Sequence, residues 1–162
     1  MTATDISAAM LAPVVYNLNA QAHDTTITLI REVTARGVNV AEIYVDTVGP
    51  ESTYQQKLQA HFPGAKVTVT KKADSKFPIV SVASVCAKVT RDTFLGNEEV
   101  WGSGYPSDPR TSTWLKGGGM DKVFGWNAEE VRYSWATARE LLEKSKDAVK
   151  VNWYLPSFKV EF

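Results

Sequence analysis

One cysteine, Cys86, is all the chain has, so it can form no internal disulfide and no cysteine-built zinc cluster. A lone thiol fits a reducing compartment. There are two histidines, His23 and His61, and neither has a second histidine or a cysteine at metal-ligand spacing. Both read as helix or surface residues. No uninterrupted apolar run approaches the ~18 residues that a bilayer span needs. The first residues carry Asp5 and no basic stretch, which does not match a secretory leader. Net charge is missing as well: 18 basic side chains balance 18 acidic ones, so bulk charge does not drive binding to a polyanion. No glycine-rich loop with a phosphate-binding lysine occurs, since Gly117-Gly118-Gly119 lacks the lysine and reads as a flexible break. What is present is enough for one folded unit, with 162 residues, 44% hydrophobic and 22% charged.

The balance of charge is local rather than uniform. Residues 1–65 carry a net charge of −3, and residues 66–92 a net of +4 from Lys66, Lys71, Lys72, Lys76, Lys88 and Arg91 against Asp74 and Asp92. A lysine-rich stretch is either a solvated face or a surface for a polyanion. Asn17 and Asn19 are candidate caps for a helix reaching about Arg36, with Ile27, Ile30 and Val33 on one face and Gly37 as its stop. Val38 to Val45 reads as a strand. Ser52 and Gln55 form a capping-box pattern for a second helix, which buries Tyr54, Leu58 and Phe62 and ends at Pro63-Gly64. Val67 to Thr70 is a second strand, which makes a β-α-β unit with parallel strands. The segment with Ile79, Val82, Cys86 and Val89 predicts a buried helix, placing Cys86 in the core rather than at a reactive site. Trp101 to Pro109 reads as loop, and Val131, Trp135, Ala138 and Leu142 mark a last helix.

Two carboxylates stand out by position. Asp46 ends the first strand and Asp74 follows the second, and strand ends of a parallel sheet are where ligands bind. Taken alone, Asp46 reads first as an ordinary turn aspartate and Asp74 as a helix-entry carboxylate. Together they fall on one sheet edge, where hard oxygen ligands suit Mg²⁺ or Mn²⁺. Lys72, Lys88 and Arg91 are the candidate substrate contacts in the basic segment around Asp74. The run Gly102-Ser103-Gly104-Tyr105-Pro106 presents a phenol between glycines and a proline, either as a rigid reader or as a tight turn with a packed ring.

Several segments taken together resemble the catalytic subunit of eukaryotic type 2 ribonuclease H. They are Tyr16-Asn17-Leu18-Asn19 with His23-Asp24, Val45-Asp46-Thr47-Val48-Gly49, and Lys72-Ala73-Asp74. The runs Ser84 to Asp92, Gly102 to Pro109 and Val131 to Trp135 complete the set, in the family's order from about residue 5 to residue 145. The resemblance implies an α/β chain with an incomplete ribonuclease H-like fold, a β-α-β core and C-terminal helices over residues 1–148, and an extended tail over 149–162. It implies hydrolysis of the RNA strand of RNA–DNA hybrids and incision at ribonucleotides embedded in duplex DNA, by two-metal catalysis. Asp46 and Asp74 match two of the family's four carboxylates, and Tyr105 matches the tyrosine that helps read the ribose 2′-hydroxyl. Accessory subunits of a heteromeric complex and a nuclear location are implied too. The family's Asp-Glu-Ala-Gly-Arg-Gly signature is absent and no Asp-Glu dipeptide occurs, so the chain alone is expected to turn over weakly or not at all. The alternatives are a non-catalytic hybrid-binding or subunit-binding module, and a flavodoxin-like module for a small phosphorylated ligand.

Overall fold

The computed structural model describes residues 1–14, 16–96, 98–121 and 124–145. Helix α1 spans Ala3–Leu11 and starts from a capping box, with Thr2 and Asp5 satisfying each other's backbone N–H groups. Helix α2 spans Leu18–Ala35 and is capped by Asn17, whose side chain accepts from Ala20 N–H. Gly37 follows it at φ +83°, a left-handed stop that glycine adopts without strain. Ile27 is buried and Ile30 partly so, whereas Val33 is exposed.

Strand β1, Glu42–Asp46, pairs in parallel with β2, Lys66–Thr70, with Ile43 opposite Val67 and Asp46 opposite Thr70. The first strand is shorter than the β-branched run predicted, and Val40 packs on the core from outside the ladder. Between the strands lies α3, Glu51–His61, so the β-α-β unit is present. Ile43, Val45, Val67 and Val69 share one face by the two-residue period of a strand and meet Ile27, Tyr54 and Leu58 from α2 and α3. Tyr54 and Leu58 are fully buried, as their spacing predicts. The expected capping box is not formed. Helix α3 begins at Glu51 after Pro50, which leaves Ser52 inside the first turn, and the Gln55 side chain accepts from Val69 N–H in the neighbouring strand instead.

After β2 the chain makes a one-turn helix α4, Ala73–Lys76, and then α5, Pro78–Leu95, with proline at its first position where no N–H is needed. The helix is there, but it is not buried. Ile79, Val82, Val85 and Val89 are each more than half exposed, and Cys86 is exposed rather than in the core. Its packing against α4 and β1 leaves this apolar row uncovered among the described residues.

The C-terminal part forms a second core of Leu115, Trp126, Val131 and Ala138. Helices α6 (Glu98–Trp101) and α7 (Pro109–Thr113) lead into it, and its residues come from a π-helical turn over Trp114–Gly118, from α8 (Ala136–Lys144) and from the segment between them. The triglycine is therefore not a break: Gly117 and Gly118 lie within the wide turn, and Gly119 lies against the Trp114 indole so closely that no Cβ fits there. The last helix starts five residues later than Val131, which packs into the core from the preceding loop. The 149–162 tail lies outside the described residues.

Candidate functional site

Asp46 is the last residue of β1, and its carboxylate reaches across the end of the sheet. Oδ1 accepts the N–H of Ala73 at 3.2 Å, and Ala73 is fully buried next to Asp74. The ladder continues one step past the strand, with Thr47 N–H donating to Thr70 carbonyl at 3.2 Å. Glu51, at the start of α3, accepts from Lys71 N–H at 2.7 Å. Two carboxylates thus pin the connection from β2 to α4 on both sides. Asp74 occupies the second position of α4 and accepts from Ser75 N–H at 2.9 Å. The two aspartates emerge at the same sheet edge, and both are exposed to solvent.

Lys72 sits between them in an unusual state. Its φ of +53° is the one left-handed non-glycine conformation among the described residues. Such a residue carries about 1 kcal/mol of strain and persists only where its neighbours dictate it. Here the neighbours are the two pinned amides, Lys71 before it and Ala73 after it. Lys72 is exposed at the same edge, and Lys76 donates to Thr70 Oγ1 at 2.6 Å. Lys72 and Lys76 thus belong to the same turn as Asp74.

A second group forms towards the far end of α5. Arg91 lies about 20 Å along the helix axis from Pro78, at ~1.5 Å per residue. Its guanidinium carbon is 4.6 Å from the centroid of the Tyr105 ring, and its Nη2 donates to the Ser103 carbonyl at 2.9 Å. Lys88 is exposed one helical turn earlier. The loop between α6 and α7 bends at Gly102, φ +70°, and Gly104, φ +74°. A Cβ on Gly102 would stand 2.6 Å from Asp108 Oδ2, so that position also needs glycine for room. Asp108 accepts from Ser103 N–H at 2.8 Å and from Arg110 N–H at 2.9 Å, and these backbone donors hold its carboxyl below the ordinary aspartate value. The buried Thr111 hydroxyl donates to the Trp101 carbonyl at 2.5 Å and accepts from Gly104 N–H at 3.1 Å. Tyr105 stays about half exposed at the mouth of a cleft of about 660 Å³ that Trp101, Trp114, Arg132 and Trp135 also line. Burial lowers the proton affinity of the Arg132 guanidinium, which stacks on Trp135 at 4.9 Å.

The structure therefore seats Asp46 on the backbone of the Lys72-Ala73-Asp74 turn and brings Arg91 to Tyr105. His23 and His61 take no part in either. His23 stacks on Tyr54 at 3.7 Å between ring centroids, and His61 faces Arg31 on the surface of the helical layer. Sequence reasoning missed the Asp24 network, in which Lys57 Nζ donates at 2.6 Å and the Tyr16 hydroxyl also donates. Both partners lower the Asp24 pKa, Lys57 the more. Its sequence separation leaves no local signal for the pairing with Lys57.

Comparison with known proteins identifies the family. The ribonuclease HII family profile matches residues 2–138. The A subunit of ribonuclease H2 from Schizosaccharomyces pombe is 62% identical over 148 residues, covering 86% of this chain and 45% of that protein. Its counterpart from Neurospora crassa is 54% identical over 144 residues, with 86% and 44% covered. The human counterpart is 47% identical over 154 residues, with 89% and 51% covered. The chain spans about half the length of the curated relatives it matches. Asp46, Asp74, Arg91 and Tyr105 all fall inside the matched region, and the chain belongs to the ribonuclease HII family, beside the A subunits of the eukaryotic ribonuclease H2 proteins.

Proposed function

We propose that this chain serves a ribonuclease H reaction, the hydrolysis of the RNA strand in RNA–DNA hybrids and incision at ribonucleotides embedded in duplex DNA. The observation that carries the reading is the contact of Asp46 with the N–H of Ala73, the residue before Asp74, at the end of the sheet. Two exposed aspartates with lysines around them form a hard, oxygen-only donor set, which fits a hydrated Mg²⁺ or Mn²⁺. Asp46 and Asp74 would hold it. When bound, such an ion supplies an activated water and charge neutralisation at the scissile phosphate. The chain's own residues do the rest. Lys72 and Lys88 attract the backbone, since lysine acts on phosphate as a point charge. The Tyr105 hydroxyl meets the ribose 2′-hydroxyl, the group that separates RNA from DNA. Each relative is by name one subunit of ribonuclease H2, and a heteromeric complex in the nucleus is part of the same reading.

A second reading rests on a specific observation: among the described residues no three metal-ligating side chains converge. On that reading the chain binds hybrid or partner subunits without cleaving. The tests are Mn²⁺ binding by electron paramagnetic resonance and cleavage of a duplex with one embedded ribonucleotide. We expect one weakly held Mn²⁺ that is lost in both Asp46→Asn and Asp74→Asn, with slow or no turnover by the chain alone. Mn²⁺ binding that is unchanged in both variants overturns the assignment of the pair. Duplex binding that needs no Mn²⁺ and is unchanged in Asp46→Asn and Asp74→Asn, with no Mn²⁺ bound by the chain, favours the second reading.

A further inference from the structure

Arg91 belongs to the basic segment, which the sequence offers as a substrate surface, yet its contacts point inwards. Nη1 donates to Asp92 at 2.8 Å, Nη2 donates to the Ser103 carbonyl at 2.9 Å, and the guanidinium plane lies over the Tyr105 ring. The adjacent Asp92 carboxylate offsets its charge, which weakens any pull on a phosphate. The Tyr105 loop meanwhile has its backbone held elsewhere. Asp108 secures Ser103 N–H, and Thr111 secures Gly104 N–H. Those bonds settle where the Tyr105 backbone runs, but a half-exposed phenol still rotates about its own side-chain bonds. The Arg91 guanidinium lies against that ring, 4.6 Å from its centroid.

We infer that Arg91 is a positioning residue that sets the pose of the Tyr105 ring and so acts on ribose recognition through it. This rests on the reading of Tyr105 as the 2′-hydroxyl contact. A lysine cannot substitute for it, because an ammonium offers neither the flat surface for the ring nor the fork that reaches Ser103 and Asp92 together. A residue that simply met a phosphate would tolerate lysine, since the charge is kept.

The experiment compares the full chain with Arg91→Lys, Arg91→Met and Tyr105→Phe. Affinities are measured for two duplexes that are identical except for one embedded ribonucleotide, across a range of salt. Arg91→Lys and Arg91→Met are expected to reduce the preference for the ribonucleotide duplex alike, by about two- to fivefold for a cation–ring contact at an exposed site. All-DNA affinity and its salt slope stay as in the wild type, and Arg91→Lys adds nothing in the Tyr105→Phe background. Rescue by lysine, or a salt slope reduced by about one in Arg91→Met, overturns the inference in favour of a phosphate contact. A second measurement needs no nucleic acid. With ring-labelled tyrosine, the Tyr105 signal, identified by its loss in Tyr105→Phe, should move in Arg91→Lys while the Tyr54 and Tyr133 signals hold still. If the Tyr105 signal does not move, Arg91 does not set the ring. If the wild type shows no ribonucleotide preference, the Tyr105 reading fails, and the ring signal alone decides the role of Arg91.

Discussion

Asp108 shows how a single carboxylate governs the shape of a loop. It accepts from Ser103 and Arg110 N–H groups, and these bonds, the Ser103 one first, favour its ionised form. A carboxyl depressed in the folded state contributes stability above its unfolded value, and that contribution disappears as pH falls through the folded value. The loop should therefore keep its form throughout the neutral range and loosen only in acid. Following the Ser103 and Arg110 amide protons by NMR, we expect both to titrate together with a midpoint below 3.8, and both titrations to vanish in Asp108→Asn. A shared midpoint at or above 3.8 would show that the two amides do not stabilise the anion. Lys72 is the counterpart at the other site, where the flanking contacts to Glu51 and Asp46 maintain a left-handed backbone in place of a glycine.

Between helix α3 and strand β2, amide side chains add hydrogen bonds to the apolar packing of Tyr54 and Leu58 against Val67 and Val69. Gln55 Oε1 accepts from Val69 N–H at 3.1 Å, and Gln59 Oε1 accepts from Val67 N–H at 3.2 Å. Alternate residues of a parallel strand point their N–H groups away from the partner, so these two would otherwise face the outer edge of β2 unpaired. Gln59 also donates to the Ala65 carbonyl at 2.9 Å, tying the helix to the start of the strand. Gln55→Leu keeps the bulk and leaves a part-buried N–H without its acceptor, which should destabilise the chain by about 1–3 kcal/mol. Urea unfolding measures it, and a loss below ~0.5 kcal/mol would mean that water serves the edge equally well. The same element shows what could be read in advance. Tyr54 and Leu58 were legible because burial follows helical period, and Asn17 and Gly37 because caps need particular side chains. The glutamines were not, because the pattern Ser52 to Gln55 matches a capping box and only the neighbouring strand claims the amide. That Asp46 ends one strand and Asp74 follows the other was legible from the order of the apolar runs. The roles of Arg91 and Asp108 depend on a loop whose fold no local pattern specifies. The buried placement of α5 failed because periodicity tells which face is apolar and not whether anything covers it.

At the scale of the whole molecule, that uncovered face meets a chain with no net charge to keep copies apart. Basic and acidic residues balance, and the isoelectric point is about 6.7, so long-range repulsion near neutral pH is weak. Ile79, Val82 and Val89 recur at helical spacing on α5 at 68%, 63% and 59% exposure, and the small side chains of Ala83 and Cys86 between them let a second helix approach closely. An exposed apolar row of this kind, at ~25 cal/mol per Å² buried, favours association over solvation. Either sheet edge would also admit another strand, but Gln55 and Gln59 occupy the outer edge of β2, which leaves the helix as the more available surface. We therefore expect concentration-dependent self-association in sedimentation velocity, strongest near the isoelectric point. Val82→Lys combined with Val89→Lys places charge in the middle of the row and should return the chain to a monomer. Neither side chain packs in the core, so unfolding stability should stay within ~0.5 kcal/mol of the wild type. A double variant that associates as strongly as the parent would locate the contact elsewhere, with the edge of β1 that is unpaired among the described residues as the next surface to charge.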